Sequence, residues 1–346
     1  MSECSRPMTS LLVLLTSAIA ACGASGKIDP DDGGANDSAV DAATDALTLA
    51  DTGQADTSPV CEAGTQPGGD GGCAPIVQSA RRPFLVGRSL RSAVVTERRD
   101  WSRKVAPVTG SVDVKTAEAL AQSWLQDGLE EHASVAAFAR FTMHLLSVGA
   151  PPDLVGRSQR ASLDEIEHAR SCFALAERLG KRLRGPSSLR IDDAVGPVSL
   201  AEIAALTAEE GCVGETLGAV LAAEQLARAS DPETVKVLRR IAADEARHAE
   251  LAWRFAKWAV VNGGEDVKQA IGQAAERAIQ ATLDIEIRAY DGIDLDAWHA
   301  HGRLTCSEAR ALMADAVREI VCPCLAAVME RDAPQTTRLG LATAEA

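Results

Sequence analysis

The chain has 346 residues, of which 46% are hydrophobic, 24% charged and only 3% aromatic. That balance suits a globular protein of packed helices and disfavours a sandwich or barrel, which needs β-branched and aromatic residues. Its 35 basic and 49 acidic groups leave a formal charge of −14, which excludes nucleic-acid binding by bulk charge.

In chain order, Arg6 precedes an apolar run from Leu11 to Ile19. A run of about ten residues is too short to span a bilayer and has the length of a signal-peptide core. It ends in Ile19-Ala20-Ala21-Cys22-Gly23, which resembles the bacterial lipobox, where a peptidase cuts before a cysteine that then carries lipid. Residues 1–21 are therefore expected to be a lipoprotein signal peptide, with Cys22 as the lipidation site. Residues 22–80 are Gly, Asp, Ala, Ser and Thr with few large apolar side chains. Between residues 27 and 73 ten acidic groups face Lys27 alone, so most of the net charge lies here. Such a segment cannot offset its ordering entropy and reads as a disordered tether. Cys61 and Cys73 flank a Gly-rich patch within it, and in an exported protein a small disulfide loop is expected there rather than a metal site.

Residues 81–112 form a basic arm, with Arg81, Arg82, Arg88, Arg91, Arg98, Arg99, Arg103 and Lys104. Phe84, Leu85, Val86 and Trp101 are interleaved with the charges, which favours an arm lying on an acidic helical domain over one contacting anionic lipid or glycan.

A helical domain is expected over 113–333, followed by a disordered tail at 334–346. From Asp113 to Ser147, apolar residues recur at three- and four-residue steps (Trp124, Leu125, Val135, Phe138, Leu145). Gly149 and Pro151-Pro152 stop this helix, and a second runs from near Asp153 to Gly180. A long connection with Gly and Pro follows over 181–198. Ser199 with Glu202 forms a capping box for a third helix, which ends near Ala229. Asp231-Pro232 opens a fourth, ending near Asn262-Gly263-Gly264. Two additional C-terminal helices are expected at about 265–290 and 306–331. Short loop, long crossover, short loop is the connectivity of a ferritin-like four-helix bundle.

The same chemistry occurs twice in this pattern. Glu165 with His168, and Glu245 with His248, lie three residues apart on the second helix of each hairpin. That spacing aims a carboxylate and an imidazole at one point. Two of the chain's six histidines fall in these motifs, which makes chance a poor explanation. Dimetal sites of this type add an inward Glu from each remaining helix, and partners across an antiparallel hairpin lie equally far from its turn. Glu215 lies about 21 Å before its turn and Glu245 about 20 Å after it, whereas Glu210 lies at about 28 Å. Glu215 is therefore the expected ligand. Glu210, in phase with Ile203, Leu206, Val213 and Leu217, is the runner-up, a buried acid behind the ligands, or a solvated residue at a helix edge. By the same measure Glu131 matches Glu165 and shares a face with Trp124, Val135 and Phe138; Glu130 is one position off, and His132 points elsewhere. Asp164 and Asp244, each four residues before a His, could accept the second imidazole N–H within their own helix or across the bundle. Four carboxylates with two imidazoles suit two Fe ions, or Mn.

Asp-Glu-Ala-Arg-His at 244–248 is similar to a motif of bacterial multicomponent monooxygenase hydroxylases. Glu-His-Ala-Ser-Val-Ala-Ala-Phe at 131–138 and Glu-Gly-Cys-Val-Gly-Glu-Thr at 210–216 resemble a group of ferritin-like bacterial lipoproteins. Residues 116–262 thus resemble the ferritin-like dimetal-carboxylate superfamily. The resemblance implies Glu131, Glu165, His168, Glu215, Glu245 and His248 as ligands, although the Glu spacing on the third helix differs from that of ferritins. Cys322-Pro323-Cys324 reads as inert buried thiols, since a redox pair one residue apart would be strained.

These features lead to the expectation of a lipid-anchored dinuclear iron or manganese protein, an O2- or peroxide-dependent oxidoreductase of unspecified substrate. The alternatives are a non-enzymatic metal-binding module or a metal-free helical scaffold. Expected partners are the membrane, through the lipid, an unspecified electron donor and a second copy in a homodimer, with no nucleic acid. The expected location is the bacterial cell envelope, and Gly23 after Cys22 points by resemblance to the outer membrane.

Overall fold

A computed structural model describes residues 82–108, 110–196, 198–284 and 292–330, with residues 11, 13 and 16 and the backbone of 65–67 and 73–75. The cleavage and lipidation at Cys22, the Cys61–Cys73 disulfide and the tail at 334–346 lie outside the described residues.

The described chain is mostly helical. Helix α1 (Val114–Ser147) begins where Asp113 accepts a hydrogen bond from the Thr116 amide at 3.0 Å. It stops at Gly149, whose φ of +66° reverses the chain. Helix α2 (Pro152–Gly180) returns antiparallel, with a proline in its first turn. The long connection at 181–199 ends in the expected capping box, Ser199 with Glu202. Helix α3 (Leu200–Thr207) then passes through a π-helical segment, Ala208–Glu215, into α4 (Thr216–Arg228). Helix α5 (Pro232–Leu283) is capped by Asp231 and is broken at Gly264 (φ +64°, ψ −140°), where the sequence places the end of the fourth helix.

Three shorter elements close the C-terminal side. They are α6 (Leu295–Ala300), α7 (Cys306–Ala316) and α8 (Cys322–Met329), with a second π-helical stretch, Val317–Val321, joining the last two. Helix α6 was not expected. Its turn sits in a connection short enough to escape periodicity, held by Asp294 accepting from the amides of Asp296 and Ala297.

Helix α1 packs along α2, and the α3–π–α4 unit packs along α5, with α2 also touching α5. The interior is apolar: Trp124, Phe138, Phe141, Phe173, Trp253 and Phe255 are all 2% exposed or less. Full burial of such side chains contributes about 1.5–3 kcal/mol each. Strands are few and short. Among the described residues β1 (Thr65–Pro67) pairs with β2 (Cys73–Pro75), β3 (Leu85–Val86) with β4 (Ser89–Leu90), and β5 (Val95–Thr96) with β6 (Gly185–Pro186), all antiparallel.

The basic arm is part of the body. Phe84 and Ala93 are buried, and β5 of the arm is stitched to β6 in the crossover. Trp101 sets its ring edge-on to His132 at 4.8 Å and to Phe173 at 6.5 Å. Cys322 departs from expectation: it is exposed at the start of α8, whereas Cys324, two residues on, is buried.

Candidate metal centre

Each helix brings its polar residue inward because the flanking residues on that face are apolar. On α1, Glu131 is buried at 0% exposure, whereas Glu130 turns aside to accept from Gln126 Nε2 at 2.9 Å. On α2, Glu165 and His168 are buried one turn apart; on α5, Glu245 and His248 repeat the arrangement.

Helix three needed a different solution. In α geometry residues five apart diverge by about 140°. The π segment bonds i to i+5 and brings such residues nearly into line. Glu210 and Glu215 are therefore both buried, at 1% and 0% exposure. They nevertheless have different surroundings. Glu215 faces the other ligands. Glu210 turns back to Arg140, accepts from the Leu85 amide at 3.0 Å and lies 3.8 Å from Arg82 Nε.

Two groups of donors result. Glu131, Glu165, His168 and Glu245 form one; Glu165, Glu215, Glu245 and His248 form the other. Within each group one ligand atom per residue lies within 4.8 Å of all the rest. Glu165 and Glu245 belong to both. All six residues chosen from the sequence thus meet in one place, and these buried Glu and His groups could hold metal ions. His132 lies outside both groups, against Trp101, where burial and the charge of Arg98 lower its pKa to about 4.

The imidazoles are oriented for ligation. Nε2 of His168 lies 2.9 Å from Asp244 Oδ2, and Nε2 of His248 lies 3.5 Å from Asp164 Oδ2. Each aspartate thus comes from the opposite hairpin, the cross-bundle alternative of the two that the sequence left open. A proton on Nε2 leaves the Nδ1 lone pair facing the carboxylates. Arg247 joins the two pairs, reaching Asp164 at 3.1 Å and Asp244 at 2.7 Å.

The electrostatics of the cluster match those of a cation site. Burial works against ionised Glu215, and Glu245 and Glu165 add repulsion, so its pKa stands well above the usual carboxylate range. Burial would likewise lower His168 and His248, but the surrounding carboxylates outweigh it and raise both. Glu165, in contact with both imidazoles, is pulled down to about 2 against its burial. Asp244 also falls to about 2, because His168 and Arg247 overcome burial. Protons on imidazole thus supply the positive charge that a bound cation would bring. Glu165 Oε2, Glu245 Oε2, both Glu215 carboxylate oxygens and His168 Nδ1 are buried without a hydrogen-bond partner, and His248 Nδ1 stands 3.0 Å from Glu165 Oε1. Unsatisfied buried groups are costly, and all of these converge on the shared centre. The donor set, oxygen with two nitrogens and no thiolate, fits iron or manganese.

Two further residues at the site, Arg82 and Arg140, were not anticipated in that role. Arg140 gives no periodic signal, and Arg82 belongs to an arm that the sequence lays on the domain without singling out any of its charges; both are buried.

No family model, curated protein or solved structure gives a significant match to the chain.

Proposed function

We propose that the chain is a ferritin-like four-helix-bundle protein with a dinuclear iron or manganese centre, acting as an O2- or peroxide-dependent oxidoreductase. The observation that carries the reading is the pair of donor groups sharing Glu165 and Glu245, each completed by one His and one further Glu. A bound pair of redox-active ions supplies two electrons to O2 or peroxide. Glu165 and Glu245 would span both positions. Glu131 with His168, and Glu215 with His248, would complete one position each. Asp244 and Asp164 keep the Nε2 protons in place, so that Nδ1 stays free to bind. Phe138, edge-on to His248 at 5.0 Å, and the Phe141–Phe255 pair keep bulk water from this face. In this reading Cys22 carries a lipid, and the acidic tether lets the body stand off a membrane of the cell envelope.

The test is elemental analysis of the full chain after loading with Fe(II) under argon, followed by O2-consumption measurements. Two ions per chain and O2 uptake are expected. Glu165→Ala removes a donor from both groups and is expected to lose both ions; full retention of metal by this variant would overturn the reading.

A further inference from the structure

We propose that residues 82–91 are a strap on one half of the centre, in which Arg82 positions Glu215 for the metal, so that occupation of the Glu215–His248 position and closure of the strap strengthen each other; this rests on the metal-binding reading above.

The π segment turns Glu210 and Glu215 toward one buried face. Two carboxylates placed so repel each other strongly, because the interior screens them poorly. Arg82, which comes from the arm and is only 2% exposed, faces both. Its Nε lies 3.8 Å from Glu210 Oε2 and its Nη1 4.0 Å from Glu215 Oε1. The guanidinium is packed in place. Its carbon lies 4.5 Å from the Phe138 ring centre and 4.7 Å from that of Phe141. A Cβ on Gly211 would stand 2.9 Å from Nη1, so the bare backbone of the π segment makes room for it. Arg82 thus fixes how the Glu215 carboxylate is presented. Glu215 belongs to only one of the two donor groups, so this tie acts on one metal position and not on the Glu131–His168 position.

The rest of the strap is anchored to the same two helices. The Leu85 amide donates to Glu210 Oε1 at 3.0 Å, and Arg140 donates both to Glu210 and to the Leu85 carbonyl. The Ser134 hydroxyl donates to the Arg82 carbonyl at 2.8 Å. Phe84 is buried beneath the Arg140 guanidinium, whose carbon lies 4.8 Å from its ring centre. The Arg91 amide closes the hairpin on the Phe84 carbonyl at 2.9 Å, and Gly87, Arg88 and Ser89 at its tip are exposed. One short segment therefore runs from a metal ligand to the surface. An ion that needs Glu215 in this pose favours the closed strap, and the closed strap tightens that ion by the same factor.

The experiment titrates Mn(II) into the full chain. Competition with a chromophoric chelator reads each binding event, and hydrogen exchange of a peptide spanning 82–91 reads the strap. Wild type should bind two ions, and full loading should slow exchange of the strap about tenfold. Glu215→Gln keeps the other donor group and should bind its remaining ion without slowing that exchange. Arg82→Met keeps the packing between the rings and should weaken one ion about tenfold or more while the other binds as in wild type; a merely loosened fold would weaken both. Beside Glu215→Gln the Met substitution should cost nothing further, whereas beside Glu131→Gln it should keep its full cost. Arg82→Lys keeps the charge without the planar fork and should recover part of the affinity. If Arg82→Met does not fold, the exchange data and a Lys variant weakened at one ion alone support the proposal. Arg82 variants that weaken both ions alike, or a cost that persists beside Glu215→Gln, would overturn it. Two bound ions with no change in strap exchange remove this proposal and leave the centre standing; no Mn(II) uptake by wild type removes both.

Discussion

Glu215→Gln in the metal-free protein tests the electrostatics of the centre directly. Glu215 is wholly buried, both of its oxygens lack hydrogen bonds, and Glu245 and Glu165 repel its charge. Its folded pKa is therefore raised well above the 4.5 of an ordinary glutamate. Between those two values the folded chain keeps a proton that the unfolded chain has released. Stability is then full below about pH 4.5 and falls as pH rises, by about 1.4 kcal/mol per unit until the folded pKa is passed. For a body of this size that slope corresponds to roughly 3–6 °C in Tm per pH unit. Glutamine resembles the protonated acid and removes this slope. His168 and His248 have raised pKa values and add a slope of the same sign, but they remain in both chains, so the difference between chains reports Glu215 together with its coupling to Glu245 and His248. Scanning calorimetry with EDTA from pH 5 to pH 8 should show the two chains melting together at the acid end and Glu215→Gln progressively ahead toward the alkaline end. Added Mn(II) should raise the wild type more than the variant, by about 2.7 kcal/mol at a hundredfold excess over Kd. Parallel melting profiles across the whole range would refute the reasoning.

Asp244→Asn should leave the helical content unchanged and weaken Mn(II) binding about 10- to 100-fold, because the His168 imidazole loses its charged acceptor; competition against a chromophoric chelator reads this, and wild-type affinity would count against the tautomer assignment. Cys22→Ser should abolish incorporation of labelled palmitate into the protein, and labelling at the wild-type level would remove the lipid anchor from the reading.

The helices were legible because their signals are local. Asp113, Ser199 and Asp231 cap where their side chains can reach the third amide, and Gly149 and Gly264 break the chain where a positive φ is required. Glu131 could be separated from Glu130 by phase alone, since α1 is regular through that stretch. The third helix was harder for a specific reason. Distance from the turn favours Glu215 and leaves Glu210 as a buried acid or a solvated helix edge, because rotation by 100° per residue does not put both on one face; the π segment buries both and gives them different neighbours. Arg82 was not legible as a site residue at all. Its position depends on how an irregular arm threads between Phe138 and Phe141, and nothing periodic marks that path. The partners of the two imidazoles stayed open for a similar reason: Asp164 and His168 share a face of α2, but once Nδ1 points inward, Nε2 is left to a facing helix.

The crossed aspartates give the centre a consequence that neither hairpin carries alone. His168 on α2 depends on Asp244 of α5, and His248 on α5 depends on Asp164 of α2. An isolated hairpin would keep its Glu-x-x-His pair but lose the acceptor that fixes its tautomer. It would also lose one of the two carboxylates shared by both donor groups. Arg247 reinforces the dependence by bridging the two aspartates from the partly exposed side. Metal binding and hairpin docking are therefore linked: any ion that prefers the complete donor set stabilises the α2–α5 interface by the same free energy with which that interface tightens the ion. The internal repeat thus supplies two interdependent halves of one site rather than two independent sites.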